Sequence, residues 1–500
     1  IRNNEIQRGN NRDRSGSNGD FLCLKGRYGG DFVHHPERLR QPLLRRNGRL
    51  EPATWEDALT FVADRLREIT RQHGPESVGF LGSNRTTNEE NYLLQRFARA
   101  VVGTPHVDHH RTGDYAALVA ALRGEASRFA ASSDITRARA LLLIGNDPTH
   151  NHPLLAYNIR SAVRLREAPF YVINHRWIKL KRQAAQFVEV PPGKEGTGVD
   201  CLRGAANDFD TALRKQLGQL KKALEKEPDA IILFGAELHG DAIKHLVEWG
   251  NSLPGKARYI ALGDYANSRG AADLGVLPDR LPGYGSCADG VTRKKWEELW
   301  QSSPLPGAGL DARQMFASEK LRALYVVGAN PVKTFGLTAA REALGARDLL
   351  VVHELFLTET ARLADVVLPV ASAYEKEGTF TNTCGEVQRL RRALEPASVR
   401  TDFEILRLLS YALEKPLPLR TPEAALEEIR QHVPGYRVSL ASLLSGQPAM
   451  TAPADGVAPA ATPAGLVFSS DDSLFTSGTL GRYSQALNSV AERHRPRTEL

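Results

Sequence analysis

The chain has 500 residues, 42% hydrophobic and 25% charged, with a formal net charge of +7. That length is too great for one core and implies about three domains, while the composition is that of a globular protein and argues against a disordered or fibrous one. No run approaches the roughly 20 apolar residues of a membrane span, no signal peptide is visible, and four scattered cysteines without a CxxC pair argue against a disulfide framework and for a reducing compartment.

The charge is unevenly spread. Residues 1–50 carry eleven Lys and Arg against five Asp and Glu. A basic segment suits an anionic cofactor, a metal–sulfur cluster or an acidic partner, and no nucleic-acid-binding motif accompanies it. After a polar stretch at 1–22 comes FLCLKGRYGG, in which Cys23 precedes Lys25 and Arg27 among glycines. Neighbouring cations and room for backbone approach suit a cluster ligand. Spacing alone favours a lone buried cysteine, because a cluster needs three companions.

LLRRNGRL (43–50) reads as strand, Asn-Gly turn and strand. Thr54 then caps a helix with the apolar stripe Leu59, Val62, Leu66 and Ile69. SVGFLGSN (77–84) is a strand-like run closed by glycine, and a polar turn leads from it into a helix. In VDHHRT (107–112) adjacent histidines point apart, which favours hydrogen-bonded or surface roles over metal binding. LLLIGNDPTHNHPLLAYNIR (141–160) is the clearest unit: a buried parallel strand, Gly145, the polar turn Asn146 and Asp147, and an amphipathic helix. Such a turn suits a polar ligand better than zinc, for which further ligands are lacking at His150 and His152. FYVIN (170–174) is the next strand. Asn174 ends it, where a ribose contact or a plain loop are both open, and Arg176 follows.

FVEVPP (187–192), AIILFG (230–235) and ARYIALGD (257–264) supply further strands, with a charged helix over 206–229. NSRGAADLGVLPDRLPGYG (267–285) has no periodicity and reads as a long functional loop. ALYVVGANP (323–331), LLVVHE (349–354) and ADVVLPV (364–370) return to strands, and EKEGTFTN reads as a polar loop. Residues 436–465, rich in Ala, Pro, Gly and Ser, read as a linker or mobile insertion. SLFTSGTLGR begins a new element, and the chain reads as a piece cut at both ends. The repeated strand–glycine–helix unit predicts a doubly wound, mostly parallel α/β fold with its crevice at the strands' carboxyl ends.

The order of LCLKGRYG, PERLRQPLLRRNGRLEPATWEDAL, GNDPTHNHP, GANPV and ADVVLPVASAYEKEGTFTNTCGEVQ resembles the molybdopterin oxidoreductase superfamily over nearly the whole chain. VDHHRT, NSRGAADLGVLPDRLPGY and SLFTSGTLGR are most similar to the large iron–sulfur subunit of respiratory NADH:quinone oxidoreductase (complex I). The resemblance implies that Cys23 is the last ligand of a 4Fe–4S cluster whose other ligands lie upstream, with Lys25 and Arg27 beside it. It assigns Gly145, Asn146, Asp147, Asn174, Arg176, Gly328, Asn330, Glu377, Thr379 and Asn382 to loops that hold two pterin guanine dinucleotides in catalytic members. It further implies the end of a small Fe–S domain at 1–50 and an α/β domain from 51–111 plus 322–415. An inserted α/β domain at 112–321, a helical and linker segment at 416–470 and the start of a β-barrel domain at 471–500 complete that division.

Two departures bear on chemistry. Catalytic relatives place cysteine or selenocysteine two residues after the arginine matching Arg111, and here that position is Gly113, with Asp114 beside it as an alternative carboxylate ligand. The acidic residue at the ribose is Asn174 here. The pattern is that of a subunit that kept the fold and lost the molybdenum chemistry, and the neutral amide at Asn174 weakens the case for a bound molybdopterin guanine dinucleotide while leaving it open. The expected partners are complex I peripheral-arm subunits, with NADH and quinone reached through the complex. The expected membrane contact is through partners, on the cytoplasmic face of a bacterial inner membrane.

Overall fold

The computed structural model describes residues 1–11, 16–205, 208–336, 342–396, 398–452, 457 and 478–494. The chain opens a sheet with β1 (Leu43–Arg46), β2 (Arg49–Pro52), β3 (Val78–Gly82) and β4 (Val107–His109). Asn47 and Gly48 both have positive φ, 49° and 78°, the requirement of a tight hairpin turn. Between β2 and β3 runs the helix Trp55–His73. Thr54 accepts from the Asp57 N–H at 3.0 Å, and Val62, Leu66 and Ile69 are buried beneath it.

The chain then leaves that sheet to build a second, all-parallel one from β5 (Ala140–Ile144), β6 (Phe170–Asn174), β7 (Gln186–Glu189), β8 (Ala230–Phe234) and β9 (Arg258–Ala261). Its order is β7-β6-β5-β8-β9. Every residue of β5, β6 and β8 is buried, as expected for parallel strands covered by helices on both faces. A short hairpin, β10 (Arg280–Leu281) and β11 (Gly285–Ser286), leads back. β12 (Ala323–Val327), β13 (Leu349–Glu354) and β14 (Val366–Pro369) complete the first sheet in the order β2-β1-β14-β13-β12-β3-β4, antiparallel only where β1 meets β2 and β14. β15 (Gly378–Thr381), β16 (Glu386–Leu390) and β17 (Ala449–Met450) form a third, antiparallel sheet. The fold class is the mostly parallel α/β architecture expected from the repeated units.

Three local expectations are corrected. The stretch 267–285 is not a loop but a buried helix, Ser268–Asp273, followed by the hairpin; it lacks periodicity because the helix is covered on all sides. EKEGTFTN contains β15, whose inward residues are the polar Thr379 and Thr381. Of the expected linker, Leu440–Ser445 is a helix and Ala449–Met450 a strand, whereas 453–456 and 458–465 lie outside the described residues. The described part of 471–500 holds the helices Gly478–Gly481 and Gln485–His494, the second with Leu487 buried. Among the described residues no helix is long and apolar enough to cross a membrane.

Candidate cofactor crevice

In a doubly wound sheet the ligand crevice opens where the strand order reverses. In the five-stranded sheet this point lies between β5 and β8. Gly145 and Asn146 turn the chain away from β5 with φ of 65° and 58°. The Asn146 N–H donates to Glu237 Oε1 at 2.9 Å, and Glu237 comes from just beyond β8. Burial pushes the Glu237 carboxyl above its usual range, with the Asn146 hydrogen bond opposing. Asn174 donates from Nδ2 to the Asn146 carbonyl at 2.8 Å and accepts from the Arg176 N–H at 3.3 Å. Asp147 accepts from the Thr149 N–H at 3.0 Å, capping a one-turn helix. The structure thus brings Gly145, Asn146, Asp147 and Asn174 together, with the Arg176 side chain exposed beside them.

In the seven-stranded sheet the reversal falls between β3 and β12. Ser83 Oγ donates to the Gly328 carbonyl at 2.9 Å. Asn330 donates from Nδ2 to Glu359 Oε2 at 2.7 Å and accepts on Oδ1 from Thr360 Oγ1 at 2.7 Å. Burial would raise the Glu359 carboxyl, but hydrogen bonds from Asn330 and Arg482 hold it at about 2. Thr379 is tied to Glu89, which accepts from its N–H at 2.8 Å and its hydroxyl at 2.7 Å. Asn382 donates to Glu386 Oε2 at 2.6 Å and accepts from the Cys384 and Glu386 N–H groups, both at 3.0 Å. Glu377 lines a cavity with Glu89, Thr379, Pro422, Leu426 and Leu440. The side chains of Asn174, Asn330, Thr379 and Asn382 are therefore committed to the chain itself.

The residues that tie the two sheets together were not singled out by sequence. Asn267 donates to the Thr86 carbonyl at 2.8 Å and accepts from the Thr381 N–H at 2.7 Å. Its neighbour must be Gly270, because a Cβ there would strike the Asn267 and Asn88 side-chain oxygens. Thr112 Oγ1 donates to the Asp264 carbonyl at 2.9 Å, and Asn151 Nδ2 donates to Asp264 Oδ1 at 3.0 Å. Thr383 accepts from the Gly263 N–H at 3.0 Å and lies 3.2 Å from the Tyr115 hydroxyl. The aperiodic run at 267–285 flagged the neighbourhood of Asn267, but no pattern marks Thr383 or Glu237.

The donor set does not fit a molybdenum centre. A Cβ on Gly113 would sit 3.3 Å from the Tyr115 ring and 3.4 Å from the Gly263 Cα, so the backbone passes close to its neighbours there. Asp114 is no substitute ligand: Oδ1 accepts from the Ala117 N–H at 3.1 Å and Oδ2 from the Gly240 N–H at 2.9 Å. Arg111 forks onto both oxygens of the buried Asp108, at 3.0 and 3.1 Å. Burial pushes His109 down to about 3 and His110 to about 4, so both are neutral imidazoles at pH 7. Among the described residues no three His, Cys, Asp or Glu side chains are grouped to hold a metal ion.

Cys23 stands immediately before the five-residue helix Leu24–Tyr28, which carries Lys25 and Arg27 in its last turn; Arg27 reaches Asn10 Oδ1 at 3.4 Å. Half-buried, Cys23 lines a cavity of about 210 Å³ with His152, Asn382 and Cys384. Burial, reinforced by Glu386, pushes the Cys384 thiol far up, leaving it a poor ligand. Cys23 is the more open of the two thiols on this wall.

Two doubly wound, mostly parallel sheets with their crevice loops facing across such contacts define an α/β scaffold with a ligand crevice. Residues 38–412 match the molybdopterin oxidoreductase family, and the chain belongs to it. It is 31% identical over 468 residues to the F420-dependent formate dehydrogenase 1 subunit alpha of Methanococcus maripaludis, covering 83% of this chain and 68% of that protein. It is 32% identical over 519 residues to the second G-type NADH-quinone oxidoreductase subunit of Rhizobium meliloti, covering 95% and 60%. Formate dehydrogenase H of Escherichia coli is 29% identical over 481 residues, covering 84% and 67%. The chain thus spans between 60% and 68% of these relatives' lengths. Acetylene hydratase from Pelobacter acetylenicus has a similar fold, with a TM-score of 0.61 at 16% identity over 86% of this chain and 68% of that one.

Proposed function

We propose that this chain is the electron-transfer and docking portion of a large iron–sulfur subunit of NADH:quinone oxidoreductase. In this reading it is peripheral on the cytoplasmic face of a bacterial inner membrane, and partner subunits supply the NADH and quinone sites. The observation that carries the reading is position 113: a glycine stands where catalytic formate dehydrogenases carry a cysteine or selenocysteine, and the adjacent Asp114 is engaged with both oxygens in backbone contacts. In support, the Rhizobium meliloti relative aligns with 95% of the chain, against 83% and 84% for the formate dehydrogenases. Cys23 serves as one ligand of a 4Fe–4S cluster, the other three coming from outside these 500 residues. A bound cluster of this kind carries single electrons. Cys23 would hold the cluster, with Lys25 and Arg27 following it in the chain to offset its negative charge, and Cys23 lines one cavity with Asn382 and His152. The same reading treats 51–111 with 322–415, and 112–321, as the two α/β bodies on which the partners assemble.

The test is metal analysis and electron paramagnetic resonance on the full-length protein. Iron without molybdenum is expected, and Cys23→Ala should remove one 4Fe–4S signal; an unchanged spectrum would refute the ligand assignment. Stoichiometric molybdenum with formate turnover would instead support the second reading, a catalytic formate dehydrogenase, which the 31% and 29% identities favour nearly as well.

A further inference from the structure

One surface holds much of the chain's excess charge. Between Pro153 and Gln183 there are seven Lys and Arg and a single acidic residue, Glu167. The helix Pro153–Arg166 and the 3-10 turn Lys179–Gln183 cover the same core: Leu155, Ala156, Ile159 and Ala162 from the first pack with Leu180 from the second and Ile178 just before it. Their outward faces therefore lie side by side. Arg164, Arg166, Lys179 and Arg182 are exposed on them, and none forms an ion pair with a carboxylate among the described residues. Apolar side chains stand among these cations, with Leu165 80% and Trp177 52% exposed. The Arg182 guanidinium lies over the Trp177 ring, 5.9 Å from its centroid, which holds both side chains in place in the absence of any partner.

We propose that this face docks an acidic segment of a partner protein, one carrying several carboxylates and at least one large apolar side chain. Of the seven cations five are arginine, whose planar fork matches a carboxylate bidentately, and Arg and Trp are among the residues enriched at the energetic centres of protein interfaces. A polybasic site for lipid headgroups does not need a tryptophan fixed beneath an arginine. Leu165 and Trp177 supply the dry centre, and the surrounding cations supply orientation and association rate. The inference deepens the docking role proposed above, but its test reads the patch alone and is independent of the metal content that tests that role.

The probe is a fluorescein-labelled synthetic peptide of alternating glutamate and leucine, titrated with the full chain and followed by anisotropy at low and at physiological salt. Binding that weakens with salt is expected. The triple variant R164E/R166E/R182E should lose about tenfold or more in affinity. Trp177→Ala should weaken binding with little change in salt dependence. All four side chains are exposed, so unchanged circular dichroism melts control for folding. Two results overturn the proposal: peptide binding that the triple variant leaves intact, or no peptide binding alongside salt-sensitive sedimentation with phosphatidylglycerol vesicles.

Discussion

Lys376 gives the sharpest test of how the first sheet is held together. Its Nζ lies 2.6 Å from Glu90 Oε2 and 3.3 Å from Asp402 Oδ2, and all three side chains are 3% exposed. Asp402 Oδ1 is 2.8 Å from His353 Nδ1, and His353 Nε2 is 2.6 Å from the Tyr325 hydroxyl, so the network runs from the helix Asn88–Arg96 through to β12 and β13. At an effective dielectric of about 20, each Lys376 contact attracts by roughly 5–6 kcal/mol before desolvation is counted. Lys376→Met keeps the stem and removes the charge, leaving two buried carboxylates facing one another. Removing one partner of a buried pair costs about 3–5 kcal/mol, a large share of the 5–15 kcal/mol typical of a domain. The sign with pH follows from the same contacts. Burial already pushes the Glu90 carboxyl up against the pull of Lys376. Without that cation its folded value rises further, so the deficit is greatest above neutrality and shrinks as the pH falls and Glu90 takes a proton. Urea unfolding followed by circular dichroism at pH 8 and pH 5 measures both effects. A loss below about 1 kcal/mol at pH 8, or one that does not shrink toward pH 5, would refute the role given to Lys376.

Glu89 offers a related prediction: burial pushes its carboxyl up to about 7, with Thr379 hydrogen bonds opposing. A raised folded value means stability is fully present below the ordinary carboxylate range and is lost as the pH rises through about 7. Glu89→Gln should therefore flatten the stability profile between pH 5 and pH 8 by at most about 3 kcal/mol, read from urea midpoints. Gly270→Ala should destabilise by about 1–3 kcal/mol, because Asn267 must leave the position from which it holds Thr86 and Thr381; thermal melts check this, and a neutral result would mean those loops are not interlocked. Cys23→Ala, with its spectroscopic readout, should leave the melting behaviour of the two large sheets unchanged, since the side chain is half-buried beside a cavity.

Several of the parallel strands were legible because they are apolar runs closed by a glycine. β5, β8 and β12 end at Gly145, Gly235 and Gly328, and the Thr54 cap was visible from its spacing to Asp57. β15 was not legible, because its buried positions are threonines and its solvent side carries Phe380, the reverse of the usual alternation. That reversal holds only because Glu89, Asn88 and Asn267 supply partners for the threonines from distant parts of the chain. The same limit applies to the crevice. Gly145, Asn146 and Asn174 could be placed at strand ends from local pattern, whereas the contacts that commit Asn330 and Asn382 come from Glu359, Thr360 and Glu386, which spacing does not point to. Gly113 gained its meaning from family resemblance, since a glycine carries no signal of its own.

The placement of β12 between β13 and β3 has a consequence for biosynthesis. β3 is complete at Gly82, but the strand that covers its other edge begins at Ala323. At translation rates of 5–20 residues per second, roughly 12–50 s separate their emergence from the ribosome. For that interval the Phe80 strand presents an unpaired edge, while β5 to β9 can close into their own sheet. Ribosome-associated chaperones are thus expected to engage this nascent chain early, and slowing elongation beyond Gly82 should lower the yield of native protein more than slowing it after Pro369.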